Sequence, residues 1–171
     1  MFRETAQIVL AIQLSSPSLP IKRAEQLAAT MQKNADIVNI DPLIIVAIAE
    51  HESEFYESKI SQDGFDYGLM QIRALHYGGK PEWLLWGENN IRVGSYIMKK
   101  DIEFCEKHLG YAPAADQWLS CYAGQCTTPD HWCKSTKLTR QFTDYASCLE
   151  RAVSDIEQES SVDCRKIYGR K

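Results

Sequence analysis

The residues best suited to chemistry lie between Glu50 and Ile72. Glu50, Glu52 and Glu54 place three carboxylates in five residues, with His51 and Ser53 between them. They follow a long apolar run, Leu43 to Ala49. A polar loop comes next, carrying Asp63, Gly64, Asp66 and Gly68, and the chain turns apolar again at Leu69-Met70 before Gln71. A carboxyl at the edge of a buried segment loses hydration, which disfavours its charged form and raises its pKa. Such a group can act as a general acid near neutral pH. Glu50 and Glu54 fall on one helical face and Glu52 on the opposite one. The expectation for Glu50 and Glu54 is two solvated surface charges. Asp63 and Asp66 double as turn formers. His51 reads as a surface or supporting residue, with no partner set for a metal.

The elements that must position this stretch are helical. Phe2 to Ile12 predicts a short helix, ended by the Ser15 to Pro20 segment with its two prolines. A second begins near Ile21 and presents Ala24, Leu27, Ala28, Met31, Ala35 and Val38 on one face. Asp41-Pro42 is a start signal, a capping carboxylate followed by proline at the first helical position. The helix it starts is apolar nearly all round and should be central. His76 to Pro81 reads as a turn region, and about half of Trp83 to Trp86 as core. Asn89-Asn90 is expected to cap a long helix with Ile91, Gly94, Met98, Ile102, Cys105 and Leu109 on one face. Gly94 inside a helix costs about 1 kcal/mol relative to Ala, so it implies close packing. A short helix from Ala114 carries Trp118, Leu119 and Tyr122 and stops at Gly124. The last helix starts near Thr139, with Phe142, Tyr145, Leu149 and Ile156 along one face, and a polar tail follows from Glu157. Strand-like pattern is confined to Phe65 to Ile72.

With 171 residues, 44% hydrophobic and 25% charged, the chain fits one ordinary globular domain with a sizeable core. A net charge of -4 argues against nucleic acid as the main partner. No apolar run approaches the roughly 20 residues of a membrane span. The Ile8 to Ile12 run makes a poor signal peptide, without a basic start or a long apolar centre. The six cysteines, Cys105, Cys121, Cys126, Cys133, Cys148 and Cys164, all lie in the C-terminal half. Disulfides are the favoured reading, with connectivity open. Zinc at Cys121, Cys126, His131 and Cys133 is the competitor, although the spacing matches no known finger. Free thiols are the third reading.

At Glu52-Ser53-x-Phe55, followed by Gly68-Leu69-Met70-Gln71, the sequence resembles the lytic transglycosylases and the related goose-type lysozymes. Asn90-Ile91-x-x-Gly94-x-Tyr96 resembles the helix after that family's catalytic loop. Ala123-Gly124 falls where the family carries Asn-Ala-Gly, with Tyr122 in place of Asn. Tyr145 resembles a late tyrosine that approaches the catalytic glutamate; an alternative register would put Phe142 there. The resemblance runs over roughly residues 21 to 155.

It implies a mainly α, lysozyme-like single domain over residues 21–156, whose central buried helix carries the catalytic Glu52. Residues 1–20 would be an N-terminal helix and linker, and residues 157–171 a polar tail. Ser53, Met70, Gln71, Tyr122, Ala123, Gly124 and Tyr145 would contact or orient substrate. The implied activity is cleavage of the MurNAc-β-1,4-GlcNAc bond of peptidoglycan, without cofactor or metal, leaving 1,6-anhydroMurNAc ends. A hydrolytic muramidase would need a second carboxylate, Asp66 or Asp63, with Asp66 the better placed. A non-catalytic peptidoglycan-binding or structural module is the other alternative. The expected location is the periplasm or cell envelope. The weak export signal points to a phage virion, an envelope assembly or another secretion route.

Overall fold

The computed structural model describes residues 4–77, 80–154 and 163–169. It is mainly helical, and the third helix occupies its centre. The first helix, α1 (Thr5–Ser15), lies about three residues later than its apolar pattern indicated, and Phe2 falls outside the described residues. Ile8, Ala11 and Ile12 of α1 are buried against the helices that follow. α2 (Ile21–Val38) buries the expected Ala24, Leu27, Ala28, Met31 and Ala35. It stops at Asn39, whose left-handed φ of 57° turns its N–H back onto the last carbonyls.

α3 (Pro42–Ser53) starts as the sequence indicates. The Asp41 side chain accepts a hydrogen bond from the Leu43 N–H at 2.9 Å, and Pro42 takes the first helical position. Every residue from Pro42 to Glu50 is buried, because α1, α2 and the last helix surround α3. Glu54 ends it in the left-handed conformation (φ 54°), and Phe55 follows at φ 61° with its ring buried. Two successive positive φ values reverse the chain sharply, and burial of Phe55 anchors the reversal.

A loop then leads to a two-stranded antiparallel sheet, β1 (Asp66–Tyr67) and β2 (Ile72–Arg73), in which Asp66 pairs with Arg73 and Tyr67 with Ile72. A single turn, α4 (Ala74–Tyr77), follows, and Gly78-Gly79 of the expected turn region lies outside the described residues. In the 3-10 turn Pro81–Leu85, Leu84 is buried while Trp83 and Trp86 are exposed. The long α5 (Gly87–Leu109) begins ahead of Asn89-Asn90, so these residues do not cap it. Its first N–H is taken instead by Glu57, whose carboxylate accepts from Gly87 N at 2.9 Å. Glu57 and Glu88 together bind Arg23 of α2, tying α2, the loop after α3 and the start of α5 into one corner.

α6 (Ala115–Tyr122) and α7 (Lys137–Ser154) complete the chain. The six cysteines form three disulfides, Cys105–Cys133, Cys121–Cys126 and Cys148–Cys164. The last holds residues 163–169 against the body. There the Tyr168 hydroxyl donates to the Ala47 carbonyl at 3.0 Å, and its ring stacks on Tyr145 at 4.7 Å. Among the described residues no helix is long and apolar enough to cross a membrane.

Candidate active site

The C-terminal turn of α3, the small sheet, the middle of α5 and the end of α6 enclose a cleft of about 690 Å³. Glu52, Asp66, Met70, Gln71, Ile72, Arg73, Ile97, Asp101, Tyr122, Ala123 and Gly124 form its walls. Glu52 is half-buried on the last helical turn, while Glu50, two positions earlier, is turned into the core and only 2% exposed. The expectation that Glu50 is a solvated charge is therefore corrected. A helix buried all round must bury whatever residue its sequence puts on the inner face. Glu54 is exposed, as expected. His51 is half-buried between Phe142 (ring centroids 5.1 Å) and Tyr168 (4.8 Å).

The Gly68 to Gln71 wall is held by one side chain. Asn90, fully buried on α5, accepts from Met70 N at 2.8 Å and donates to the carbonyls of Tyr67 (2.7 Å) and Leu84 (2.8 Å). Gly68 makes that approach possible. Its φ is +76°, and a Cβ there would sit 2.0 Å from Leu84 O and 2.3 Å from the Asn90 amide. Gly94 has the packing role its position implied, since a Cβ would meet Met70 Sδ at 2.7 Å and Cε at 2.8 Å. Gln71 itself has φ 45°, a strained conformation for a residue with a side chain. Its amide nitrogen donates to Gly68 O at 2.8 Å and Lys59 O at 3.2 Å, which fixes it at the cleft wall.

The two loop aspartates are both occupied by Arg73. Asp66, opposite it in the sheet, takes two hydrogen bonds (2.9 and 3.0 Å), and Asp63 takes one at 3.2 Å. Asp63 also accepts from the Ser61 hydroxyl and from Phe65 N, and these bonds hold its carboxyl below the usual range. Asp66 lines the cleft and Asp63 does not.

On the far wall, the Tyr122 hydroxyl donates to Met70 O at 3.4 Å. Burial, with the nearby Glu52 and Asp101 carboxyls, pushes this phenol well above its ordinary value. Asp101 is half-buried, and desolvation alone lifts it to about 7. Two disulfides brace this wall. Cys121–Cys126 closes the turn after α6, and Cys105–Cys133 fastens that loop to α5.

Besides Asp63, two further expected site residues do not line the cleft. The buried Ser53 hydroxyl donates back to Ala49 O at 3.0 Å. Tyr145 is fully buried, and its hydroxyl donates to Ser15 Oγ at 2.9 Å. Arg73, Ile97 and Asp101 line the cleft without having been singled out from sequence. Asp101 had a signal. Gly87, Ile91, Gly94, Met98, Asp101 and Cys105 step by four and three along α5, and a carboxylate interrupts that apolar stripe.

Sequence comparison agrees with this architecture. The family profile described as Transglycosylase SLT domain matches residues 29–124, more than half the chain. The match takes in α3, the sheet, α5 and the end of α6, the elements that build the cleft. The chain belongs to this family, lytic transglycosylases of lysozyme-like, mainly helical fold. Its general activity is therefore cleavage of peptidoglycan glycan strands, which places its action at the cell envelope. No curated protein and no solved structure gives a significant match.

Proposed function

We propose that Glu52 is the single acid/base of a lytic transglycosylase reaction on the MurNAc-β-1,4-GlcNAc bond. The observation that carries this reading is its position. Glu52 is the carboxylate that α3 presents to the cleft, facing Met70, Gln71 and the Tyr122 to Gly124 wall. As the acid it protonates the glycosidic oxygen while the C–O bond breaks. As the carboxylate it then takes the proton of the sugar's own 6-hydroxyl, whose oxygen closes onto C1. The product carries a 1,6-anhydro ring and no water is consumed. The reaction requires Glu52 to enter protonated and to leave as the carboxylate that accepts the 6-hydroxyl proton.

Met70, Gln71, Ala123 and Gly124 are proposed as groove contacts. Ser53 and Tyr145 are proposed to act indirectly, by fixing the end of α3 and its packing. Residues 21–156 are proposed as the transglycosylase domain proper, with residues 1–20 and 157–171 as its flanks. The engagement of Asp66 and Asp63 by Arg73 favours this outcome over hydrolysis, because a carboxylate committed to a guanidinium is a poor base for water. Three disulfides suit work in an oxidising envelope compartment or on a phage particle.

The test is mass analysis of muropeptides released from purified peptidoglycan by the wild type and by Glu52→Gln. Products lighter by one water than reducing ends, absent with the variant, are expected. Reducing-end products would move the assignment to a muramidase using Asp66. Release undiminished by Glu52→Gln would overturn the role of Glu52. No release by the wild type would leave a binding module.

A further inference from the structure

Asp101 occupies a position where a folded protein gains nothing from a carboxylate. It lies three residues after Met98 and four before Cys105, both buried, on the stripe of α5 that faces the molecule. Its Oδ2 is buried and, among the described residues, has no hydrogen-bond partner. Leaving such an atom unsatisfied costs the desolvation of a polar group with nothing in return. An aliphatic residue on this stripe would avoid that cost, and a structural carboxylate would have found a donor.

Among the described residues the cleft supplies none. Arg73, the one cation among the described residues on its walls, is held by Asp66 and Asp63. The other titratable groups facing the cleft are Glu52 from α3, Asp66 from β1 and Tyr122 from α6. On α5 itself, Lys100 is exposed and paired with Glu103. α2 brings Lys33 to a separate groove shared with Glu88, Arg92 and Lys99. Among the described residues, Asp101 thus shares the cleft with Glu52 and Asp66 and has no uncommitted cation to balance it.

We propose that Asp101 is a substrate-binding residue that works in its uncharged form, its unpartnered oxygen donating a hydrogen bond to the glycan laid across Glu52. An N-acetylated sugar offers acetamido carbonyl oxygens, which only accept. A protonated carboxyl in a desolvated wall is a donor matched to them, as an ionised one is not. Desolvation places the change between these forms near neutral pH, where Asp101 is lifted to about 7. The chain's affinity for its glycan therefore falls as pH rises through neutrality.

This inference rests on the cleft being the glycan site, and its test separates the two. Binding of a soluble GlcNAc–MurNAc tetrasaccharide is measured by calorimetry at pH 6 and pH 8. The proteins are Glu52→Gln, which removes turnover, and the double variant Glu52→Gln/Asp101→Asn. Binding only to the neutral form predicts an apparent Kd about tenfold weaker at pH 8 for the single variant. The double variant, whose amide donates at both pH values, should bind equally at both. Coincident pH profiles for the two proteins would overturn the role of Asp101 while leaving the site intact. Absence of binding by the single variant at pH 6 would overturn it together with the assignment of the cleft. A second measurement needs no change at Asp101. Carbon-13 NMR of its carboxyl in the Glu52→Gln protein should show the titration midpoint rising when the tetrasaccharide is bound, by the reciprocity of linked equilibria. A midpoint unchanged or lowered by the sugar would equally refute the proposal.

Discussion

Replacing Asn90 by alanine removes three hydrogen bonds from a dry site at once. Met70 N–H loses its acceptor, and the carbonyls of Tyr67 and Leu84 lose their donor. Asn90 is fully buried, so water cannot replace the amide without opening the wall. Each buried backbone group left unsatisfied costs about 1–3 kcal/mol, so with three such groups the variant should lose on the order of 3–9 kcal/mol of stability. The loss should be local in its functional effect, because the three groups belong to the loop that carries Met70 and Gln71 and to the turn beneath it. Asn90→Asp sharpens the argument. A carboxylate still accepts from Met70 N–H but faces two carbonyls without a proton to offer, whereas its protonated form donates to one of them. Asn90→Asp should therefore be less destabilised at pH 4 than at pH 8, and Asn90→Ala should show no such difference relative to wild type. Urea denaturation at both pH values measures this, with amide hydrogen exchange at Met70 reporting the local opening. A loss below about 1 kcal/mol in Asn90→Ala would refute the clamp, as would an Asn90→Asp penalty that does not change with pH.

Asp101→Asn gives a second pH signature, in stability rather than binding. The folded carboxyl titrates near 7 and the unfolded one near 3.8, so the unfolded state holds fewer protons between these values and stability falls as pH rises through that window. Asparagine removes the term, and the variant should gain on the order of 2–4 kcal/mol relative to wild type between pH 4 and pH 8, the lower figure allowing for partial exposure. Denaturation curves that differ by the same amount at both pH values would count against it. Gly94→Ala sets helix propensity, worth about 1 kcal/mol in its favour, against overpacking of Met70, worth about 1–3 kcal/mol. Stability should change by less than about 2 kcal/mol while KM for peptidoglycan rises as Met70 is displaced. A variant more stable by about 1 kcal/mol with unchanged KM would show that the contact has no bearing on the groove.

Much of this molecule follows from local rules that a sequence carries openly. Periodicity marks α2, and Asp41-Pro42 starts α3 because capping and fixed φ are properties of two adjacent residues. The unbroken apolar run of α3 implies burial on all sides, and hence a central helix whose far end meets a cleft. Gly94 reads as a contact because its cost inside a helix has to be offset somewhere. Other features depend on where distant segments meet. Asn90 looks like a cap, since asparagine near a helix start usually is one, yet its amide is spent on Met70, Tyr67 and Leu84 once the loop packs above it. Glu50 looks like surface charge until α3 is surrounded. Cysteine pairing is set by which sulfurs the fold brings within bonding distance, which spacing along the chain does not encode. Asp101 joins both kinds of information. Its break in the apolar stripe is written in the sequence, but a carboxylate acquires meaning only from its surroundings. Only the packing of α3, α5 and α6 around one cleft puts that group on the same walls as Glu52 and, among the described residues, leaves its oxygen without a partner.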